Sequence, residues 1–231
     1  MKVLVACEFS GVVRDAFITN GHDTLSCDLL PCERPGPHYQ GDVRNLLNEP
    51  YDLMVAHPPC TYLCSSGLHW NKRRPGRDAL TNEAMGFVFA LVNAPIPKIA
   101  LENPVGRIST AYRKPDQIIQ PYQFRHDASK GTCLWLKGLP LLRPTKHIEP
   151  HGSRKVVVVS GVTRPLLDKT NLARRSTVPR SVVGPTKVSP RRWPTSGAGC
   201  VWFSLTNFRA ANAATNLFVR STTSISLSAR V

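Results

Sequence analysis

The chain has 231 residues, of which 42% are hydrophobic and 19% are charged, and its formal net charge is +15. This composition is typical of a globular protein and argues against a disordered chain. No run of about 18 apolar residues occurs, so we expect no membrane span, and the acidic Glu8 in the first segment argues against a secretory signal peptide.

The first strand is predicted at residues 2–6 and is followed by a helix at 11–21, where Gly21 is placed to end the helix. Further strands are predicted at 22–28, 51–57, 98–104 and 132–138, and a second helix at about 79–93. That second helix has one apolar face, formed by Ala84, Phe87, Val88, Leu91 and Val92. Alternation of strands and helices predicts an α/β fold with a parallel sheet and right-handed crossovers.

Polar or conformationally special residues follow four of these strands. They are Glu8 to Gly11, Asp28, Pro58 to Cys60, and Glu102 to Pro104. Ligands of parallel α/β sheets bind at the carboxyl ends of the strands. The pattern therefore predicts a functional site at this edge of the sheet.

The alternation stops after residue 151, and the charge changes at the same point. Residues 1–151 contain 17 Lys and Arg against 14 Asp and Glu, whereas residues 152–231 contain 13 Lys and Arg against one acid, Asp168. We expect a folded domain at 1–150 and a basic, poorly ordered tail at 151–231. The tail is either an arm for nucleic acid or the product of a shifted reading frame that replaces the native C-terminus.

The seven cysteines are scattered, with no CxxC pair and no metal-finger spacing. An odd number of cysteines and no export signal predict thiols in a reducing cytoplasm. Cys64 follows Cys60 by four residues, but it has no His or Cys partner at ligand spacing. We therefore expect no metal site.

Cys60 directly follows Pro58 and Pro59 at the end of a buried run. Two prolines hold the chain extended, and such a rigid support can position a nucleophile. A thiol with the usual pKa of about 8.5 is only a few per cent thiolate at pH 7, so the sulfur would need activation. The alternative is a buried cysteine with a purely structural role.

Glu102-Asn103-Pro104 ends a later strand, again with a proline at the exit. A carboxyl group here could donate to or accept from a ring nitrogen, and the Asn side chain could fix backbone or base. The alternative is an ordinary turn, since Asn-Pro is a common turn pair.

"FSG" after the first strand, "HPPCTYLC", "ENP" and "TCLWLKGLP" together resemble the DNA cytosine-5 methyltransferases, and more narrowly a compact, phage-type version of them. The resemblance covers roughly residues 2–146. It implies a Rossmann-like class I methyltransferase sheet, the cofactor S-adenosylmethionine, DNA as partner, and the cytoplasm of a bacterium or phage-infected host cell. It also implies that the sheet could be incomplete at its C-terminal end, because the segment that completes it in the family has no clear counterpart after about residue 150.

The resemblance assigns the binding of S-adenosylmethionine to four places within the first 58 residues. Phe9, Ser10 and Gly11 match the segment that cradles the methionine part, and Asp28 matches the acidic residue placed for the ribose hydroxyls. "GDV" at 41–43 matches the segment that contacts adenine, with Asp42 as the expected contact. Pro58 completes the cofactor side.

The resemblance assigns the chemistry to Cys60, Glu102 and Asn103. Attack of a thiolate on C6 of cytosine makes C5 nucleophilic enough to take a methyl group. Glu102 would hold N3 and the exocyclic amine and stabilise the charge that develops there. Because the reacting atoms lie inside the duplex, the base must be flipped into the pocket.

Several cations are candidates for DNA contacts. The loop after the nucleophile carries Lys72, Arg73, Arg74 and Arg77, which would suit phosphates, although a solvated basic loop is the alternative. Trp70 in this loop could stack on a base or anchor the loop. The arginine pair that the family offers to cytosine O2 is missing, and Arg125 or Lys130 is the candidate substitute.

Two other functions remain open. An amino-methyltransferase acting on adenine or cytosine amines would need an acidic residue or Asn before the two prolines and an aromatic residue after them, and His57 and Cys60 occupy those places. A non-catalytic nucleic-acid-binding relative would rely on the basic tail and would not bind the cofactor.

Overall fold

The computed structural model describes residues 1–125, 127, 129–145 and 147–148, together with the backbone of two short strands at 156–159 and 162–165. The predictions for the rest of the tail lie outside the described residues.

A seven-stranded sheet forms the centre of the fold. Its strands are β1 (Lys2–Ala6), β2 (Asp23–Asp28), β3 (His38–Gln40), β4 (Leu53–Ala56), β5 (Lys98–Pro104), β6 (Gln117–Ile119) and β7 (Thr132–Lys137). In space they lie in the order β3-β2-β1-β4-β5-β7-β6. The predicted strands correspond to β1, β2, β4, β5 and β7, so the α/β class is confirmed, whereas the three-residue strands β3 and β6 are additional.

Four helices lie between the strands in the described residues. They are α1 (Val12–Thr19), α2 (Ser65–Leu68), α3 (Arg77–Val92) and α4 (Ile108–Ala111). The two predicted helices correspond to α1 and α3. Gly21 follows α1 with a φ of +79°, the left-handed conformation that suits glycine after a helix end.

The expectation of a purely parallel sheet is wrong for β7, which runs antiparallel to both of its neighbours, β5 and β6. The chain passes from β5 through α4 to β6 and then returns to fill the gap between them. The return segment, residues 120–131, contains one short 3-10 helix at Pro121–Gln123 instead of a long crossover helix. Without such a crossover the next strand enters antiparallel.

The strand order reverses between β1 and β4. From β1 the sheet extends through β2 to β3 on one side, and from β4 to β5 on the other. These five strands are mutually parallel, so their carboxyl ends lie at one edge. The crevice outside such a reversal is where ligands bind in open α/β sheets.

Apolar side chains are buried on both sides of the reversal. One cluster joins β1 and β4 to α1 and consists of Val3, Val5, Val13, Phe17, Leu53 and Val55. Another covers the β5–β7 region and consists of Ala100, Ile119, Phe124, Leu134, Leu136 and Leu142. Both clusters rigidly support the strands whose ends carry the candidate site.

Two short strands lie within the segment that follows residue 151. β8 (Val156–Val159) and β9 (Val162–Pro165) pair antiparallel, with Val159 opposite Val162.

His22 directly precedes β2 and therefore lies at the edge of the sheet formed by the amino ends of the parallel strands. Both of its ring nitrogens are buried without a hydrogen bond within the described residues. Burial lowers its pKa below the usual 6.5. The imidazole of His22 therefore binds a proton more tightly in the unfolded chain than in the folded one. The contribution of neutral His22 to the free energy of unfolding is fully present above about pH 6.5 and is lost as the pH falls below that value. We expect the free energy of unfolding, measured in urea, to fall less between pH 7.5 and 5 in His22→Phe than in the parent. Equal losses in both proteins would contradict this account.

Candidate active site

Backbone hydrogen bonds join the segments that follow the central strands. The Glu8 N–H donates to the Cys27 carbonyl at 3.0 Å, and the His57 N–H donates to the Ala6 carbonyl at 3.0 Å. The ends of β2, β1 and β4 are thereby fixed side by side. The four groups of residues predicted to form a site do share one edge of the sheet.

Glu8 holds the start of α1. The helix begins after Gly11, which has no side chain to cap it, and the Glu8 carboxylate accepts from the backbone N–H of Val13 at 2.9 Å. The Ser10 hydroxyl also donates to this carboxylate at 2.8 Å. Glu8 is 1% exposed, so these bonds provide the compensation that a buried charge requires. Ser10, predicted to contact the cofactor, already has a protein partner for its side chain.

Gly11 is required by the backbone itself. Its φ is +72°, and a Cβ at this position would lie 2.7 Å from Nη2 of Arg14. Arg14 is fully buried and donates to Asp15 at 2.7 Å, to the Pro35 carbonyl at 2.9 Å and to Sγ of Cys32 at 3.1 Å. The guanidinium thus ties α1 to the loop after β2, next to the predicted cofactor residues.

Asp28 and Asp42 lie on neighbouring parts of the edge, as shown by the 2.8 Å hydrogen bond from the Gly41 N–H to the Asp28 carbonyl. Burial is the main cause that raises the pKa of Asp28, and the charge of Glu8 adds to it. Asp42 differs, because hydrogen bonds from Arg44 lower its pKa. Asp28 is therefore the better placed of the two to receive hydroxyl groups, since Asp42 is already in an ion pair with Arg44.

Cys7 directly follows β1 and has a conformation that non-glycine residues rarely adopt, with a φ of +60°. Burial raises the pKa of its thiol well above the usual value, and the charges of Asp28 and Asp42 act in the same direction. Cys7 therefore faces the acidic side of the site as a neutral thiol. Strained backbone of this kind is often found at functional sites.

Cys60 lies at the end of β4, in the turn that follows Pro58 and Pro59. Its side chain is buried, with 2% of the residue exposed. Its carbonyl accepts from the N–H groups of Leu63 and Cys64, each at 2.9 Å, so the chain turns sharply directly after the cysteine. No disulfide involves Cys60 or the other cysteines that the structure describes.

The side chain of Asn103 connects the Glu-Asn-Pro segment to the Pro-Pro-Cys segment. It is fully buried, and its Nδ2 donates to the carbonyl of Pro58 at 2.7 Å. The side chain therefore fixes backbone, one of the two roles expected from the sequence. Its Oδ1 is buried without a hydrogen bond within the described residues. An unpaired buried acceptor costs about 1–3 kcal/mol, which marks this position as one where a ligand could supply the missing donor.

The loops that follow β4 and β5 are also joined through their backbones. The Arg107 N–H donates to the Leu63 carbonyl at 2.7 Å, and the Ser65 N–H donates to the Val105 carbonyl at 3.0 Å. Gly106 lies between these contacts, where a Cβ would stand 1.9 Å from the Leu63 carbonyl oxygen. This glycine is not among the residues predicted from the sequence, where its only signal is its place two residues after the Asn-Pro turn.

α3 also contacts the loop that follows Cys60. The Thr81 hydroxyl donates to the Tyr62 carbonyl at 3.1 Å, and Nη2 of Arg77 donates to the Thr61 carbonyl at 3.0 Å. The Arg77 guanidinium also lies over the Tyr62 ring, 4.8 Å from its centroid. Arg77, predicted to contact DNA phosphate, therefore has an internal role in positioning the loop.

His57 and Glu102 form a buried pair that sequence reasoning missed. Nδ1 of His57 lies 3.3 Å from Oε2 of Glu102, and the two side chains are 9% and 5% exposed. The pairing follows from the register of β4 and β5, in which Ala56 lies opposite Leu101, the residues just before the pair. The available signal in the sequence is a histidine directly before the two prolines.

The predicted basic loop exposes three of its four cations, Lys72, Arg73 and Arg74. The guanidinium of Arg74 lies over the Trp70 ring at 4.5 Å, and that of Arg73 lies 5.9 Å from the same centroid. Trp70 is thus in contact with the arginines of its own loop. The exposed cations remain available for anionic partners.

Lys130 and Arg125 lie in the segment that leads into β7. Thr132 at the start of β7 lies opposite Pro104, two residues after Glu102. Lys130, two residues before β7, therefore lies near the same edge of the sheet as the candidate site. Arg125 is exposed and has a φ of +65°, a conformation that non-glycine residues rarely adopt.

Two further thiols belong to the interior. Burial, with charges from Asp28 and Asp42, raises the pKa of Cys27 to about 12. Burial and the charge of Glu102 raise the pKa of Cys133, which lies opposite Asn103 on β7. Within the described part of the chain, no group of three or more His, Cys, Asp or Glu residues is arranged to hold a metal ion. None of the helices described there has both the length and the hydrophobicity of a membrane span.

Comparison with protein-family models gives no match to this chain, and no curated protein matches it.

Proposed function

We propose that this protein transfers a methyl group from S-adenosylmethionine to C5 of cytosine in DNA through a covalent adduct with Cys60. The observation that carries the proposal is the hydrogen bond from Asn103 to the Pro58 carbonyl, 2.7 Å long. It fixes the turn that presents Cys60 against the strand that presents Glu102. A nucleophile and an acid on two neighbouring strand ends are what addition to a cytosine ring requires.

The strand order supports a class I methyltransferase sheet. In that fold an antiparallel strand lies between the two last parallel ones at one side, as β7 does here between β5 and β6. All seven strands lie within residues 2–137, so the chain needs no segment after residue 150 to fill this sheet. An α/β sheet does not in general contain an antiparallel strand between two parallel ones, so the position of β7 supports this fold in particular.

The residues at the first strand ends fit S-adenosylmethionine in part. Asp28 offers a half-buried carboxylate at the end of β2, which suits ribose hydroxyls, and Phe9 offers an apolar surface at the end of β1. Ser10 and Asp42 already have protein partners, so their side chains are less free than that of Asp28 to contact the cofactor. When bound, S-adenosylmethionine supplies an electrophilic methyl group on a sulfonium.

In the proposed reaction, Cys60 acts as the nucleophile and Glu102 as the acid. Attack of the Cys60 thiolate forms the Sγ–C6 bond and moves the electron pair of the C5–C6 double bond towards C4, while the N3–C4 pair moves onto N3. Glu102 donates a proton to N3 as this charge develops, and C5 becomes nucleophilic. After C5 has taken the methyl group, N3 returns its proton to Glu102, a base removes the C5 proton, and the Sγ–C6 bond breaks to restore the thiolate.

The direct test is incubation of the full chain with methyl-labelled S-adenosylmethionine and duplex DNA, followed by digestion and identification of the labelled nucleoside. We expect the label in 5-methyl-2′-deoxycytidine. Label on an exocyclic amine would contradict the proposal in favour of an amino-methyltransferase. DNA binding with a steep salt dependence, but without label or cofactor binding, would favour the non-catalytic alternative.

The basic loop gives a second prediction about the DNA partner. If Lys72, Arg73 and Arg74 each contact a phosphate, neutralising all three to Gln should reduce the slope of log affinity against log salt by about 2.7. The matched control is Lys114→Gln, which removes an exposed cation before β6 and should change the slope by no more than about 1. Filter binding or fluorescence anisotropy over a range of salt concentrations measures both slopes. An unchanged slope in the triple variant would exclude this loop from the interface.

A further inference from the structure

The side chain of His57 holds the carboxyl group of Glu102 on one side only. Nδ1 of His57 lies 3.3 Å from Oε2, and Glu102 makes no other hydrogen bond within the described residues. The carboxyl oxygen Oε1 is therefore left for another partner. Because Glu102 is 3% exposed, bulk water does not compete strongly for it.

The other ring nitrogen, Nε2 of His57, is buried without a hydrogen bond within the described residues. A bare lone pair at this position is less costly than a buried N–H without an acceptor, because a neutral imidazole can leave the acceptor nitrogen unpaired and keep its donor paired. The arrangement therefore favours the tautomer that carries its proton on Nδ1. That proton points along the 3.3 Å contact to Oε2.

We infer that His57 is a positioning residue for the proposed methyl transfer: its Nδ1–H occupies Oε2 of Glu102 and turns Oε1, with its proton, towards N3 of the flipped cytosine. The inference rests on the proposed function. When Oε1 gives its proton to N3, Glu102 becomes a carboxylate, and the hydrogen bond from Nδ1–H becomes charge-assisted and stronger. His57 keeps its own proton throughout, and N3 returns the transferred proton to Oε1 after methylation.

The other ionisable groups near the pair do not take over this role. Cys133 lies opposite Asn103 on β7, and burial together with the charge of Glu102 raises the pKa of its thiol, so it stays neutral. Asn103 is directed at the Pro58 carbonyl through its Nδ2. Thus His57 is the donor to Glu102 among the described residues, and it is placed by the same turn that presents Cys60.

A pair of substitutions separates hydrogen bonding from packing. In His57→Asn, the side-chain amide retains a donor near the position of Nδ1, whereas His57→Phe retains the ring shape and loses the donor. We expect the single-turnover rate of methyl transfer to fall about 100-fold in His57→Phe and by less than about 5-fold in His57→Asn. A packing role predicts the reverse order, because Phe fills the space of the ring better than Asn does.

A measurement without cofactor or DNA tests the contact itself. In the ¹⁵N-labelled full chain, the imidazole signals that disappear in His57→Asn belong to His57, and we expect them to report the Nδ1-protonated tautomer. Glu102→Leu should abolish that preference. His22→Phe, at the opposite edge of the sheet, is the matched control and should change neither the tautomer of His57 nor the rate.

The possible failures are distinct. An active parent whose His57→Phe variant is as fast as the parent, or a His57 that carries its proton on Nε2, overturns the positioning role and leaves the proposed function intact. A parent chain that transfers no methyl group overturns the proposed function, and with it the role of His57 in the reaction.

Discussion

Cys60→Ser should abolish the covalent complex with DNA that contains 5-fluorocytosine and should slow methyl transfer roughly 10³-fold or more, a loss of about 4 kcal/mol of transition-state stabilisation. Fluorine at C5 cannot be removed as a proton, so the reaction stops at the Cys60–C6 adduct in the parent. A serine hydroxyl is almost fully protonated at neutral pH and is a far weaker nucleophile towards C6 than a thiolate. A gel that separates the adduct under denaturing conditions measures the first effect.

Cys64→Ser is the matched control for this substitution. Cys64 is also buried and lies four residues further along the same turn, where its Sγ is 3.2 Å from Oγ of Ser66. The Cys64→Ser variant replaces a sulfur by an oxygen in the same loop, and it should still form the adduct. An adduct that persists in Cys60→Ser, or that is lost equally in both variants, would contradict the assignment of the nucleophile.

The sequence predicted the strands whose apolar runs are continuous. β1 was placed at 2–6 and β5 at 98–104, the bounds that the structure gives. β3 and β6 were missed because "HYQ" and "QII" are too short to display any periodicity. The direction of β7 was missed for another reason: an apolar run such as "TCLWLK" reads the same for a parallel or an antiparallel strand.

The candidate site shows the same division between local and long-range information. The turn at Pro58-Pro59-Cys60 is local, so its rigidity was readable from three residues. The contact between His57 and Glu102 joins residues 45 apart and depends on the register of two strands. Ser10 was read as a cofactor contact, yet its hydroxyl bonds to Glu8, since short polar side chains readily bond to neighbouring groups of their own segment.

Two contacts from β5 and the loop that follows it fix the geometry around Cys60, in addition to the contacts from α3. The side chain of Asn103 holds the start of the turn at Pro58, whereas the backbone around Gly106 holds its exit at Leu63. Because both partners belong to β5 and the loop that follows it, Glu102 and Cys60 are held by one connected frame. A change in the frame should disturb the reaction even where no reacting group is touched.

Gly106→Ala tests this frame. The added methyl group would lie 1.9 Å from the Leu63 carbonyl oxygen and 2.8 Å from Cα of Cys64, and both are backbone atoms that cannot turn aside. The two loops must separate, so we expect the free energy of unfolding in urea to fall by about 3 kcal/mol. The yield of the Cys60 adduct should fall as well, under conditions in which circular dichroism shows the variant to be folded.

Gly86→Ala is the control that carries the same chemical change. Gly86 lies inside α3, and a Cβ there would meet no heavy atom within 4 Å. Alanine in a helix interior is favoured over glycine, so this variant should be more stable than the parent by about 0.5–1 kcal/mol and should form the adduct normally. If Gly106→Ala were as stable as the parent and formed the adduct at the parental rate, the loops after β4 and β5 would not need their close contact. Cys60 and Glu102 would then be positioned by the strands, by Asn103 and by the contacts of Thr81 and Arg77 from α3.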